Sequence, residues 1–265
     1  TIDVSDASPT VRVHPTAEAL SRAAAAMFVS LGQRAIEARQ RFTVALAGGS
    51  TPQRLYALLA EDAWREQLDW SAVEIFFGDE RAVAPDHDDS NFRMANDVML
   101  APLAVPVKRI HRMPAERADL AAAAADYQAE LARVFRLDVD AAAPVFDLVL
   151  LGLGSDGHTA SLFPHTRALG VDDAWVAAND VPQLDTQRLT LTLPVLNRAA
   201  MVMFLVTGAD KANVLAEVLE GPPDPARLPA QSVQPAAGLV YWFVDEAAAV
   251  KLSRPATSCG PTTGS

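Results

Sequence analysis

The chain has one cysteine, Cys259, in 265 residues, and it sits in a Gly/Pro/Thr/Ser tail. A lone thiol cannot form an internal disulfide, and a reducing compartment fits best. No apolar run approaches the roughly 20 residues of a membrane span. The start, Thr1-Ile-Asp-Val, lacks the basic and apolar regions of a secretory signal. A cytoplasmic protein is the expectation. Basic residues are scarce: 22 Lys and Arg face 33 Asp and Glu, a formal net charge of -11. No basic stripe is visible, which argues against nucleic acid and anionic membranes as partners. The acidic balance leaves room for a small anionic substrate, because a few placed cations and backbone amides can hold one phosphate. Internal repeats and long linkers are also missing. Residues 221–229 are Pro-rich but short. Residues 1–253 therefore read as one domain, a monomer or weak homo-oligomer, with 254–265 as a disordered tail.

What is present is a strong α/β pattern. Half the residues are hydrophobic, enough for a substantial core. Residues 16–39 carry apolar positions at helical spacing, including Leu20, Ala24, Met27, Leu31 and Ile36. Short apolar runs at 42–47, 73–77, 146–151, 201–206 and 240–244 read as strands. Residues 189–193, where Leu and Thr alternate, read as another. Helices are expected at 52–60, 90–100, 119–135, 211–219 and from Glu246. Ser50 or Thr51 can cap the first of these, and Asp89 or Ser90 the second. Strands alternating with helices imply βαβ units and a mostly parallel sheet flanked by helices.

Parallel strands place their carboxyl ends on one side, where open α/β sheets bind ligands. Three strand ends carry unusual turns. Gly48-Gly49-Ser50-Thr51-Pro52 combines glycines, hydroxyls and a helix start, which suits a phosphate; an ordinary helix cap is an equally good reading. Gly78-Asp79-Glu80-Arg81 offers an arginine that could fork onto a phosphate or carboxylate. Alone it reads as a solvated loop, as does the polar stretch around His87 that follows.

The third turn is Gly152-Leu-Gly154-Ser-Asp156-Gly157-His158. It satisfies a dinucleotide-binding pattern, with Asp172 about 20 residues on. Pro164 interrupts the helix that should follow, and no apolar strand leads to Asp172, so no cofactor is expected. An imidazole after glycines, beside an acid, at a strand end reads instead as functional rather than structural. His14 and His111 have no comparable setting, and His165 is a possible substrate contact. Lys211, after the 201–206 strand, could reach an anion or be a solvated helix lysine. No metal is expected.

Together these residues resemble the 6-phosphogluconolactonase family. The matching segments are Ala45-Leu-Ala-Gly-Gly-Ser-Thr-Pro52, Phe77-Gly-Asp-Glu-Arg81 with Ser90-Asn91, residues 151–164 including Asp-Gly-His-Thr-Ala-Ser, and Val206-Thr-Gly-Ala-Asp-Lys211. Leu228-Pro-Ala-Gln231-Ser232 also resembles a late family segment, with Gln231 in place of its usual serine. The resemblance runs from about Val11 to Val244. Related sugar-phosphate deaminases share the Asp-Gly-His turn but continue differently from Thr159-Ala-Ser-Leu-Phe-Pro164.

The resemblance implies a Rossmann-like α/β sandwich and a place in the pentose phosphate pathway. It implies hydrolysis of a sugar-phosphate lactone, 6-phospho-glucono-1,5-lactone, to 6-phosphogluconate. His158 would be the base and Asp156 would orient it. Gly48, Gly49, Ser50, Thr51, Arg81 and Lys211 would hold the phosphate. A backbone N–H of the 152–157 turn would meet the oxyanion. The competing expectations are a sugar-phosphate deaminase or isomerase, with Asp79 or Glu80 as base, and a non-enzymatic sugar-phosphate sensor.

Overall fold

The structure is a computed structural model that describes residues 9–253 and 257–258. The strands are β1 (Thr10–His14), β2 (Phe42–Leu46), β3 (Val73–Phe77), β4 (Asp79–Arg81), β5 (Leu148–Leu151), β6 (Val176–Val181), β7 (Thr186–Leu191), β8 (Met201–Val206), β9 (Leu239–Asp245) and β10 (Thr257–Ser258). The helices are α1 (Ala17–Arg39), α2 (Ser50–Leu59), α3 (Asp62–Arg65), α4 (Asn91–Ala95), α5 (Leu120–Phe135), α6 (Leu193–Leu196), α7 (Ala212–Glu220) and α8 (Glu246–Ala249).

Seven strands form one parallel sheet in the order β10-β1-β9-β8-β5-β2-β3. Every residue of β2, β3, β5 and β8 is buried. Strands covered on both faces are mainly apolar, and these four are nearly continuous hydrophobic runs, interrupted by Thr43 in β2 and Glu74 in β3. Burial of each Leu, Val or Phe contributes roughly 1.5–3 kcal/mol. α1 is fixed at its start by Thr16, whose hydroxyl accepts from the Ala19 amide at 3.1 Å. Leu20, Ala24 and Phe28 bury its inner face, and it packs on α2, β2 and β9.

Two expectations change, and two are extended. The strand near 189–193 is β7, and it belongs to a separate antiparallel sheet, β4-β7-β6. α2 is capped by neither Ser50 nor Thr51. Its cap is Gly49 at φ 99°, and no side chain bonds there. A residue with a Cβ avoids that backbone conformation, so the sharp entry to α2 depends on this glycine. The helix expected over 90–100 is α-helical only to Ala95, capped by Ser90, and widens to a π turn over Asn96–Leu100. Of the expected tail, Thr257–Ser258 pair with Arg12 and Val13; Cys259 lies outside the described residues.

A buried charge cluster sits beside β3. Both ring nitrogens of His111 face carboxylates, Nδ1 to Glu130 at 2.6 Å and Nε2 to Glu74 at 2.8 Å. Burial pushes the Glu74 carboxyl up, but His111 and Arg109 outweigh it and hold it below the ordinary range. Arg133, and then His111, hold Glu130 down as well. The unfolded chain therefore takes up these protons more readily than the folded one. The stabilisation is complete above the ordinary glutamate pKa of about 4.3 and disappears as pH falls through the lowered folded values. In thermal melts from pH 6 to pH 3, Glu74→Gln should lose less Tm than the unsubstituted chain. Equal losses would show that this cluster does not govern acid stability.

Candidate active site

The three turns meet. They line one cleft of about 280 Å³ together with Thr207 and Lys211. Gly48, Gly49, Ser50 and Thr51 form one wall, Arg81 and Asp79 another, and Gly152, Gly154 and His158 a third. All expected site residues line this cleft except Asp156, which stands behind His158.

The 152–158 loop is built to present the histidine. Gly154 N donates to His158 O at 2.8 Å, and Gly157 N to Gly154 O at 3.0 Å. Gly157 has φ 82°, and Ala230 N donates to its carbonyl at 3.0 Å. The loop runs into no helix, unlike a dinucleotide-binding turn. The amides of Gly154, Gly157 and His158 are all donated within the loop, so none of these three is available to an oxyanion in this arrangement.

Asp156 Oδ1 lies 2.5 Å from His158 Nδ1 and also accepts from the His158 amide at 3.1 Å. An ionised carboxylate only accepts, so Nδ1 carries a proton, and in the neutral ring Nε2 keeps its lone pair. Burial pushes the Asp156 carboxyl up, but the hydrogen bond and charge of His158 prevail and hold it below the usual aspartate range. The imidazole stacks on Phe163, with centroids 4.0 Å apart and planes 25° apart. The ring is thus fixed on one edge and one face.

The wall opposite is held from beneath. The Tyr56 hydroxyl accepts from Ala47 N at 2.9 Å and donates to Ala47 O at 2.8 Å. That clamp fixes the end of β2 just before Gly48. A Cβ on Gly48 would lie 1.9 Å from Asn91 Oδ1. Asn91 in turn donates to the Asp79 carbonyl at 3.0 Å and its carboxylate at 3.2 Å. Thr51 Oγ1 is 2.7 Å from Thr207 Oγ1, which ties the first turn to the turn after β8.

The acidic pair of the second turn is structural in its bonding. Glu80 accepts from the amides of Arg81, Asn91 and Phe92 and from Ser90 Oγ, all within 3.0 Å. Burial still pushes its carboxyl above the ordinary range. Asp79 accepts from Ser161 Oγ at 2.6 Å and from Asn91. Arg81 reaches the cleft and donates to the Asp89 carbonyl at 2.5 Å. Arg188 stands opposite it across the β4–β7 pair, where burial and the neighbouring Arg81 push it below the usual arginine range.

Asn91, Thr207 and Arg188 were not singled out by sequence reasoning. Asn91 and Thr207 do lie in the motif segments; Arg188 had no local signal. His165 is exposed and outside the cleft lining; its amide donates to Ala226 O at 3.1 Å. The exposed His87 is bonded within its own loop by the Asp89 amide. Gln231 stitches the end of α7 to the loop after it, accepting from Asp224 N at 2.7 Å and donating to Pro222 O at 3.2 Å. Among the described residues, no cluster of three or more His, Cys, Asp or Glu could hold a metal, and no helix is long and apolar enough to cross a membrane.

Residues 15–242 match the family described as glucosamine-6-phosphate isomerases/6-phosphogluconolactonase. A Synechocystis protein named 6-phosphogluconolactonase is 46% identical over 220 residues, 83% of this chain and 88% of that one. A rat protein of the same name is 40% identical over 227 residues, 82% of this chain and 83% of that one. The structure of 6-phosphogluconolactonase from Trypanosoma brucei superposes with a TM-score of 0.79 at 32% identity, covering 92% of this chain and 99% of that one. A monomeric glucosamine-6-phosphate deaminase shares the fold, with a TM-score of 0.75 at 21% identity over 91% of this chain and 99% of that one. With a match across nearly the whole described region and relatives of this similarity, the chain belongs to the glucosamine-6-phosphate isomerase/6-phosphogluconolactonase family.

Proposed function

We propose that the chain hydrolyses 6-phospho-glucono-1,5-lactone to 6-phosphogluconate. The observation that carries this is the Asp156–His158 pair facing the glycine- and hydroxyl-rich Gly48–Thr51 wall across one cleft. The names of the relatives support the same reaction. Nε2 of His158 takes a proton from water as the water oxygen bonds to the lactone carbonyl carbon. The tetrahedral intermediate collapses by breaking the bond from that carbon to the ring oxygen. His158 then returns the proton to the departing ring oxygen, leaving a carboxylic acid, ionised at neutral pH, and a free hydroxyl.

The phosphate sits at the start of α2, where Ser50 and the first amides of the helix meet it, with Arg81 and Lys211 adding charge. Thr51 contributes through its bond to Thr207. Lys211 faces the exposed Asp210 at 3.7 Å, a loose pairing that leaves it able to turn to an anion. The engagement of both oxygens of Asp79 and of Glu80 weighs against either as the base of a deaminase or isomerase. The test is loss of freshly made 6-phospho-lactone at neutral pH, corrected for spontaneous hydrolysis. Acceleration supports the reading. Ammonia release from glucosamine 6-phosphate without lactone turnover would overturn it.

Arg81 tests the phosphate site separately. Replacing it with Ala removes a charge-assisted contact worth roughly 1.5–3 kcal/mol. KM should rise about 10- to 100-fold by that measure, with a smaller change in kcat. Steady-state kinetics with an unchanged KM would place the phosphate elsewhere.

A further inference from the structure

A second cavity, of about 770 Å³, opens beside the starts of β2 and β3, at the ends of these strands away from the active site. Its lining includes Arg39, Arg41, Lys108, Arg109, Arg133 and Arg136, against only Glu74 and Glu130. Six of the chain's 22 basic residues thus converge in a protein of net charge -11. The helix dipole favours cations where α1 and α5 end, which accounts for Arg39, Arg133 and Arg136. It does not reach Arg41, between α1 and β2, and the single 3-10 turn Val107–Arg109 that carries Lys108 and Arg109 is too short to sum a large dipole.

Local ion pairs use only half of this charge. Arg39 pairs with Asp147, Arg109 with Glu74, and Arg133 with Glu130. Among the described residues, Arg41, Lys108 and Arg136 have no carboxylate partner. Arg41 instead donates to the Val134 carbonyl at 3.0 Å and lies 5.6 Å from the Phe135 ring centroid. Arg109 also keeps a buried Nε with no acceptor. Unspent cations and an unused donor in one concavity describe a site for several negative charges at once. Val107, Ile110 and Val134 add an apolar side, and the volume is that of a small-molecule site rather than of a macromolecular face.

We propose that this cavity binds a small polyphosphate, a chain of linked phosphoryl groups carried by a nucleotide or free in solution. It is separate from the proposed lactone site and does not rest on that reading. The test is calorimetric titration of the whole chain with ATP and with tripolyphosphate at about 0.15 M salt. Binding is expected, weakened about tenfold in the Lys108→Gln/Arg136→Gln protein and unchanged in Arg81→Ala/Lys211→Ala. Tighter ATP than tripolyphosphate would assign a nucleotide that uses the apolar side; equal affinity would assign the phosphate chain alone. No binding by the unsubstituted chain, or loss of binding in Arg81→Ala/Lys211→Ala rather than in Lys108→Gln/Arg136→Gln, would overturn the proposal. Melting curves check that both variants are folded.

Discussion

The His158→Ala protein is expected to fold normally and to hydrolyse the phospho-lactone about 10²- to 10⁴-fold more slowly, the usual worth of a positioned general base. Folding should survive because the imidazole is 29% exposed and makes no contact that a strand depends on. KM should change little, since the proposed phosphate site is on the opposite wall. Asp156→Asn is the informative companion. An amide in place of the carboxylate can donate to Nδ1, which would leave the Nε2 proton facing water and the lone pair spent. It should therefore be impaired in kcat even with the ring in place. A folded His158→Ala chain with full activity would remove His158 from the mechanism and the cleft from consideration.

Gly154→Ala should be nearly as damaging without replacing any group that reacts. A Cβ there would lie 2.0 Å from His158 Nδ1, 2.2 Å from Cε1 and 2.8 Å from Asp156 Oδ1. Both partners of the pair would have to move. A displaced catalytic group commonly costs about 10²-fold, and that is the expected fall in kcat. Stability should be spared, because Gly154 is not among the glycines with positive φ. Gly170→Ala, where an added Cβ meets nothing within 4 Å, should behave like the unsubstituted chain in both respects. If Gly154→Ala kept normal kcat, the close approach of backbone to imidazole would have no catalytic meaning.

The parts of this molecule that could be read from sequence are those where a local rule has little competition. Leu148–Leu151 announces a central strand because both of its faces are buried. Asp119 announces a helix start, and its carboxylate does accept from the Ala122 amide at 2.9 Å. The glycines around Asp156 and His158 announced the turn, and resemblance added the chemistry. What escaped depends on partners far along the chain. Asp79–Arg81 has the composition of a loop and is a strand because β7 supplies its register. Val176–Val181 contains Asn and Asp, and nothing local says that Asn179 will be buried, donating to Ser161 O at 2.9 Å. The Thr51–Thr207 bond joins residues 156 positions apart. No spacing rule reaches that far.

The place of β1 in the sheet bears on how the chain is made. Among the described strands it is made first, yet its partners are β9 and β10; Val11 pairs with Trp242. A nascent chain that has produced everything up to β8 therefore holds three unmatched strand edges, both edges of β1 and one of β8. Open edges invite pairing with other chains, and contacts this distant in sequence form slowly. Completion of this sheet must wait until β9 and β10 have been made. Fragments ending before Leu239 should stick to one another where the intact chain does not.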